Sequence, residues 1–276
     1  MHGRRYLAII RAQERPFRFV FARFLTKSGL CRIFTIQQRG YRLRFNPSNL
    51  AEQLWVKPWS RNDALEFFRA YLKPGDRVID VGANIGDTVL TASTCVGSEG
   101  LVWAIEPHPR TFRFLRANLA LNRVKNVEAI NRAAGDVSGA VGFTDDRRDD
   151  MNRVGDGTLR VPIGPLDELI PWRGAISLLK VDVEGYEKPV FAGAKVLLQT
   201  TRCLYFEIGR THFSWFGYQV RDLLQLLKSE GFQLFRIPSN GCLAGIDVGY
   251  DTDVVENVVG LKDPAAFSER TSWTIE

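Results

Sequence analysis

The stretch Arg77 to Thr88, RVIDVGANIGDT, limits what this chain can fold into more than any other, because a strand, a glycine turn and a helix start follow one another without a spare residue. Val78, Ile79 and Val81 are a short β-branched run suited to a strand buried on both faces. Gly82 and Gly86 bracket the turn, where a missing Cβ lets backbone pass close to a ligand. The pattern is Asp-x-Gly-x-x-x-Gly, with Asn84 where a dinucleotide fingerprint carries its middle glycine; Asn is the next residue to tolerate a left-handed turn. Asp80, Gly82, Ala83, Asn84, Gly86, Asp87 and Thr88 are therefore expected to form one wall of a nucleoside-type site.

The other wall is expected at Leu101 to Pro107, LVWAIEP, where Glu106 and Pro107 end a second buried strand. Glu106 follows Gly86 by about 20 residues, the offset at which a carboxylate meets ribose hydroxyls in a βαβ nucleotide unit. Asp80 or Glu106 alone would pass for a helix cap or a surface ion pair. Their joint spacing favours a ligand.

With 276 residues the chain has room for one large α/β domain and an N-terminal extension. A 45% hydrophobic and 25% charged composition excludes a disordered or collagen-like chain. Cys31, Cys95, Cys203 and Cys242 form no CxxC pair, which argues against structural zinc and a disulfide framework. The net charge of +6 is uneven: eleven Lys or Arg stand against Glu14 alone through Phe45, so that segment is basic and the remainder acidic. Arg4, Arg5, Arg11 and Arg15 interrupt the apolar run Tyr6 to Ile10, so it does not read as a signal peptide, and no stretch has transmembrane length. The expected location is cytoplasmic, with contact at the inner face of a membrane through the arm as an alternative to its packing on the domain.

The boundary is drawn at residue 60, between a basic arm over 1–60 and a domain over 61–276. Residues 1–30 interleave Arg with Phe, Ile, Leu and Val and predict one or two basic amphipathic helices, packed on the domain's flank with the arginines solvated in the favoured reading, or else lying on an anionic membrane surface or touching nucleic acid. Ile33 to Phe45 predict two short strands and Ser60 to Leu72 a helix stopped by Pro74-Gly75. From Arg77 strands and helices alternate. Strands are expected at 77–81, 101–105, 127–131, 176–183 and 202–208, with a small one at 140–143; helices at 88–95, from Pro109, at 165–170, 186–198 and 220–227. The last two strands, 232–237 and 253–261, have no helix between them and must pair antiparallel. The result is an α/β fold with a seven-stranded, mostly parallel sheet, an antiparallel C-terminal strand, and helices on both faces. Thr144 to Gly157, rich in Asp, Arg and Gly, is a candidate acceptor-binding lid.

VIDVGANIGDT, AIEPHPRTFRFLRANLALN, VPIGPLDELI, LLKVDVEGYEKPVFAG and LYFEIG, in this order from about Tyr71 to Leu261, together resemble the FkbM family of S-adenosylmethionine-dependent methyltransferases. The resemblance implies a Rossmann-like class I methyltransferase fold with S-adenosylmethionine as cofactor. It places Gly82, Asn84 and Gly86 around the methionyl part, Glu106 at the ribose hydroxyls and Asp136 near the adenine amino group. The residues agree with it, since a carboxylate at the ribose suits a 2′-phosphate poorly and the turn lacks the third glycine expected over a pyrophosphate.

The catalytic candidates begin in LLKVDVEGYE. Alternation along a strand puts Lys180, Asp182 and Glu184 on one face at the carboxyl end of the sheet, where ligands bind in open α/β folds. Glu187 reads as a residue favouring the next helix N-terminus. Glu207 ends the fifth strand, and His212 on the following loop is the histidine best placed to act as a base. The expected reaction is O-methylation of a small-molecule, sugar or glycan hydroxyl, with Asp182 taking the proton. No dedicated metal site is expected; a divalent ion between Asp182 and Glu207 is the minority alternative, since two carboxylates are few ligands. The other classes kept open are a nucleic-acid-binding methyltransferase or adaptor, disfavoured for want of a base-reading motif, and a cofactor-binding scaffold without catalysis. Oligomeric state is not legible in the sequence.

Overall fold

The computed structural model describes residues 14–58, 60, 62–145 and 152–276. The first part of the basic arm and the middle of the candidate lid lie outside the described residues. The strands in chain order are β1 Thr35–Gln37, β2 Arg42–Arg44, β3 Arg77–Val81, β4 Leu101–Ile105, β5 Val127–Ile130, β6 Ala133–Ala134, β7 Gly139–Phe143, β8 Leu159–Gly164, β9 Ile176–Val181, β10 Thr201–Ile208, β11 Gln233–Ser239, β12 Cys242–Ile246, β13 Glu256–Leu261 and β14 Thr274–Ile275.

The main sheet runs β14-β12-β11-β13-β10-β9-β3-β4-β5. Strands β3, β4, β5, β9 and β10 are mutually parallel where they pair, and β13 is antiparallel to both of its neighbours, β10 and β11. Order reverses between β3 and β9, the switch point at which a crevice opens beyond the strand ends. Buried apolar residues cover both faces: Phe191, Leu198, Leu223 and Leu227 on one, Phe67, Phe68, Val89 and Phe267 on the other.

The seven expected strands are present, but the sheet has nine. The hairpin closes from β11 to β12 through Asn240-Gly241, with Gly241 at φ +84°, and β13 then slots between β10 and β11. The predicted helix over 186–198 is two, Glu187–Ala192 and Lys195–Thr200. Gly193 divides them because the Gly135 carbonyl packs where its side chain would be, and Asp167 caps the second helix by accepting the N–H groups of Val196 and Leu197. Helices Asn49–Val56, capped by Ser48, and Pro264–Thr271, capped by Asp263, were not anticipated.

Helix Pro16–Ser28 seats Ala22 and Leu25 in a third cluster with Leu43, Phe45 and Leu54, which also takes in Ile85 and Leu90 beside the glycine turn. The N-terminal elements and the turn thus share a core. A separate three-stranded sheet, β6-β8-β7, stands beside the crevice and carries Phe143 at its edge.

Candidate functional site

The turn after β3 is held from beneath by charge. Asp80 and Lys180 are register partners on adjacent parallel strands, and both are buried. Lys180 Nζ lies 2.9 Å from Asp80 Oδ1, donates to the Gly82 carbonyl at 2.9 Å and sits 3.6 Å from Asp182 Oδ2. The second Asp80 oxygen accepts the Thr88 hydroxyl at 2.6 Å, which ties strand, turn and helix start together. Gly82, at φ +79°, is needed for a reason the sequence did not give: a Cβ there would stand 1.8 Å from the Asp182 carbonyl, so protein backbone makes the close approach. Asn84 adopts the expected left-handed conformation, φ 47°.

Glu106 faces the turn. Its Oε2 accepts the Asn84 N–H and its Oε1 the His108 N–H, each at 2.9 Å. His108 caps helix Pro109–Leu121 through Nδ1, and burial lowers its pKa. Between the turn and Glu106 opens a cleft at the carboxyl ends of β3 and β4, the place where ligands bind in open α/β sheets. Gly82, Ala83, Asn84, Asp87, Thr88, Glu106 and Pro107, cofactor residues expected from the sequence, are in its lining. Val81, Ile105, Ala133, Ala134, Phe143 and Val154 give it an apolar lining suited to a base. The residues present fit S-adenosylmethionine.

Three predicted cofactor residues lie outside this lining. Asp80 is beneath the turn, Gly86 is the helix N-cap at φ +94°, and Asp136 is exposed. Leu50, Asn152 and Tyr186 line the cleft without having been singled out. Leu50 comes from helix Asn49–Val56, which carries no periodicity long enough to be read from sequence, and Asn152 from the candidate lid. Arg153 beside it lies 3.9 Å over the Trp215 ring, anchoring that end of the lid across the site.

The second functional turn is Asp182 to Gly185. β9 ends at Val181, so strand alternation does not extend to Glu184, which instead sits at φ +57°. Glu187 organises this turn: its Oε1 accepts the N–H groups of Val183, at 2.9 Å, and Gly185, at 3.4 Å. Burial pushes the Glu187 carboxyl up to about 8, hydrogen bonds from the Val183 N–H and from its own backbone N–H oppose that rise, and the nearby Glu207 and Asp182 charges reinforce it. Tyr218 donates to the Gly185 carbonyl at 2.6 Å. Only glycine fits at 185, since a Cβ would meet the His212 carbonyl at 2.6 Å. Glu187 and Tyr218 were not among the predicted site residues; Glu187 was read as a helix-terminus residue, yet its bonds reach back to the turn.

A polar cleft adjoins the first, and both share Leu50, Asp182 and Glu184. Gln53, Ser60, Asp63, Glu207 and Asn257 also line it. His212 Nδ1 lies 3.5 Å from Glu207 Oε2 and 3.7 Å from Glu184 Oε2, and its ring stacks on Trp215 at 4.9 Å. Asp182, Glu184, Glu207 and His212 are thus gathered at one place. Among the described residues, Glu184, Glu207 and His212 bring one ligand atom each within 4.8 Å of one another, close enough for a divalent cation. That set differs from the Asp182–Glu207 pair considered from sequence.

A family model described as the methyltransferase FkbM domain matches residues 80–234. A curated protein of Saccharolobus solfataricus, a probable cobalt-precorrin-6B C(15)-methyltransferase (decarboxylating), is 31% identical over 74 residues, which are 26% of this chain and 37% of that protein. The match thus spans little more than a third of that relative's length. Among solved structures, precorrin-6y C5,15-methyltransferase from Geobacter metallireducens has a TM-score of 0.44 at 11% identity, covering 72% of this chain and 88% of its own. A SAM-dependent O-methyltransferase from Thermotoga maritima has 0.43 at 14% identity, covering 74% and 65%.

Proposed function

Because this chain belongs to the FkbM methyltransferase family and uses S-adenosylmethionine, we propose that it methylates a hydroxyl oxygen of a small-molecule, sugar or glycan acceptor. The observation that carries this reading is the junction of the two clefts at Leu50, Asp182 and Glu184. The cleft beside the glycine turn suits the cofactor, and the neighbouring one, rich in carboxylate and amide groups, suits a hydroxyl-bearing acceptor.

When bound, S-adenosylmethionine supplies a methyl group already activated by its sulfonium. The turn Gly82 to Asn84 and the Glu106 carboxylate would hold it, and Phe143 and Val154 would give it an apolar wall. Asp182, partly buried and lining both clefts, takes the proton from the acceptor hydroxyl. Lys180 fixes the geometry: its bonds to Asp80 and the Gly82 carbonyl, with Asp182 beside it, lock the two turns at one spacing. Glu207 lines the acceptor side, with His212 Nδ1 3.5 Å behind it.

The test is incubation with methyl-labelled S-adenosylmethionine and a panel of sugars, glycosides and small alcohols, followed by location of the label. An alkali-stable methyl ether is the expected product. Label on carbon or nitrogen alone, or preferential labelling of RNA, overturns the reading.

A further inference from the structure

Helix Pro16–Ser28 is apolar on two sides, about 120° apart around its axis at 3.6 residues per turn. Its inner side buries Ala22 and Leu25 against the protein, next to helix Asn49–Val56. At a period of 3.6 residues, Phe17, Val20, Phe21 and Phe24 share the outer side. They are 90%, 42%, 49% and 58% exposed. Just past the helix, Leu30 and Ile33 are exposed as well, at 47% and 76%. Single exposed apolar residues are ordinary, but four on one helical stripe mark a surface that something covers.

The charges around the stripe identify the cover. The helix has no acidic residue, and Arg15, Lys27 and Arg32 are exposed and make no ion pair among the described residues. The segment through Phe45 carries eleven basic residues against Glu14 alone, and Glu14 is already paired with Lys57 at 2.6 Å. Two copies meeting through this face would bring like charges together. Nucleic acid would satisfy the arginines but leave a continuous Phe and Val stripe against phosphates. An anionic lipid surface satisfies both, taking the aromatic side chains below the headgroups and the cations among them.

We infer that helix Pro16–Ser28 docks this protein on an anionic membrane surface through Phe17, Val20, Phe21 and Phe24, flanked by Arg15, Lys27 and Arg32. The helix lies in the interface plane, and among the described residues no helix is long and apolar enough to cross a membrane. Helix Asn49–Val56, against which it packs, supplies Leu50 to both clefts, so the docked face and the acceptor side are joined through one element.

The experiment is co-sedimentation of the full chain with vesicles of phosphatidylcholine mixed with phosphatidylglycerol, and with phosphatidylcholine alone. The chain is expected to sediment with the mixed vesicles only, and less so at about 0.5 M salt. Phe21→Ser combined with Phe24→Ser should weaken binding by roughly tenfold or more, since two buried aromatic contacts are lost. Arg15→Gln, Lys27→Gln and Arg32→Gln together should weaken it comparably. Both sets change exposed side chains, and unchanged thermal unfolding confirms an intact fold. Absence of vesicle binding, equal binding to neutral vesicles, or binding untouched by the Phe pair overturns the inference. A dimer in sedimentation velocity that the Phe pair dissolves, without vesicle binding, assigns the face to a second copy instead.

Discussion

Lys180 and Asp80, partners in register on β9 and β3, place an ammonium 2.9 Å from a carboxylate in the middle of the main sheet, with only 2% and 0% of the residues exposed. Such a pair is stable only as a pair, because either charge alone would be stranded away from water.

Asp80→Asn and Lys180→Met are each expected to lower unfolding free energy by about 3–5 kcal/mol, and the double variant to recover part of the loss. Urea denaturation of the three proteins checks this. Single variants within about 0.5 kcal/mol of wild type would show that the pair contributes nothing and that Thr88 and the Gly82 carbonyl are held by packing.

Glu187 gives stability a distinct pH dependence. Its folded pKa of about 8 lies above the ordinary carboxyl value of 4.5, so the native state holds a proton that the unfolded chain has released. Its contribution to stability is therefore greatest below the unfolded pKa, falls as pH rises from about 4.5 to 8, and changes little beyond. Glu187→Gln keeps an acceptor oxygen for the Val183 and Gly185 N–H groups but carries no charge. Its melting temperature should rise relative to wild type between pH 5 and pH 8, by an amount set by a slope of at most about 1.4 kcal/mol per pH unit. Differential scanning calorimetry of both proteins across that range decides it, and parallel curves would place the Glu187 pKa near its ordinary value.

Asp182 and Glu106 should separate catalysis from binding. Asp182→Asn is expected to lower turnover by roughly 10²-fold or more while leaving calorimetric affinity for S-adenosylmethionine nearly unchanged. Glu106→Ala is expected to weaken both S-adenosylmethionine and its demethylated product by about 1–3 kcal/mol, through lost ribose bonds and a loosened Asn84 turn. Turnover measured in EDTA adds the role of a metal: full activity leaves Asp182 as the base, whereas loss restored by Mn²⁺ or Mg²⁺ brings in the Glu184, Glu207 and His212 set. Full activity of Asp182→Asn under both conditions would remove it from the mechanism.

Local chemistry was legible in this chain. The β-branched run at Val78, Ile79 and Val81, the left-handed Asn84 and the stripe Val220, Leu223, Leu224 and Leu227 depend on neighbours in sequence, and all three took the expected form. Gly82 after β3 and Glu106 after β4 meet at one cleft, because a parallel βαβ unit sets successive strand ends side by side, although Gly86, from which the spacing was counted, lies outside it. Some misses were legible too. Asn240-Gly241 between apolar residues is a strong hairpin signal, and it turned β11 into β12 two residues after Ser239.

What the tertiary structure alone decided are the contacts across the sheet and between turns. No periodicity in the sequence says that Gly82 is glycine because the Asp182 carbonyl passes over it, or that Glu187 turns back to hold Val183 and Gly185. Nor does any pattern show Leu50 reaching the cleft from the N-terminal region, or Phe17, Phe21 and Phe24 remaining outside while Ala22 and Leu25 go in. A helical wheel identifies apolar sides but not which of them meets the protein. That choice belongs to packing, since it is made by the free energy of burying one side against a particular partner, here Leu43, Phe45 and Leu54, which lie outside the helix's own periodicity.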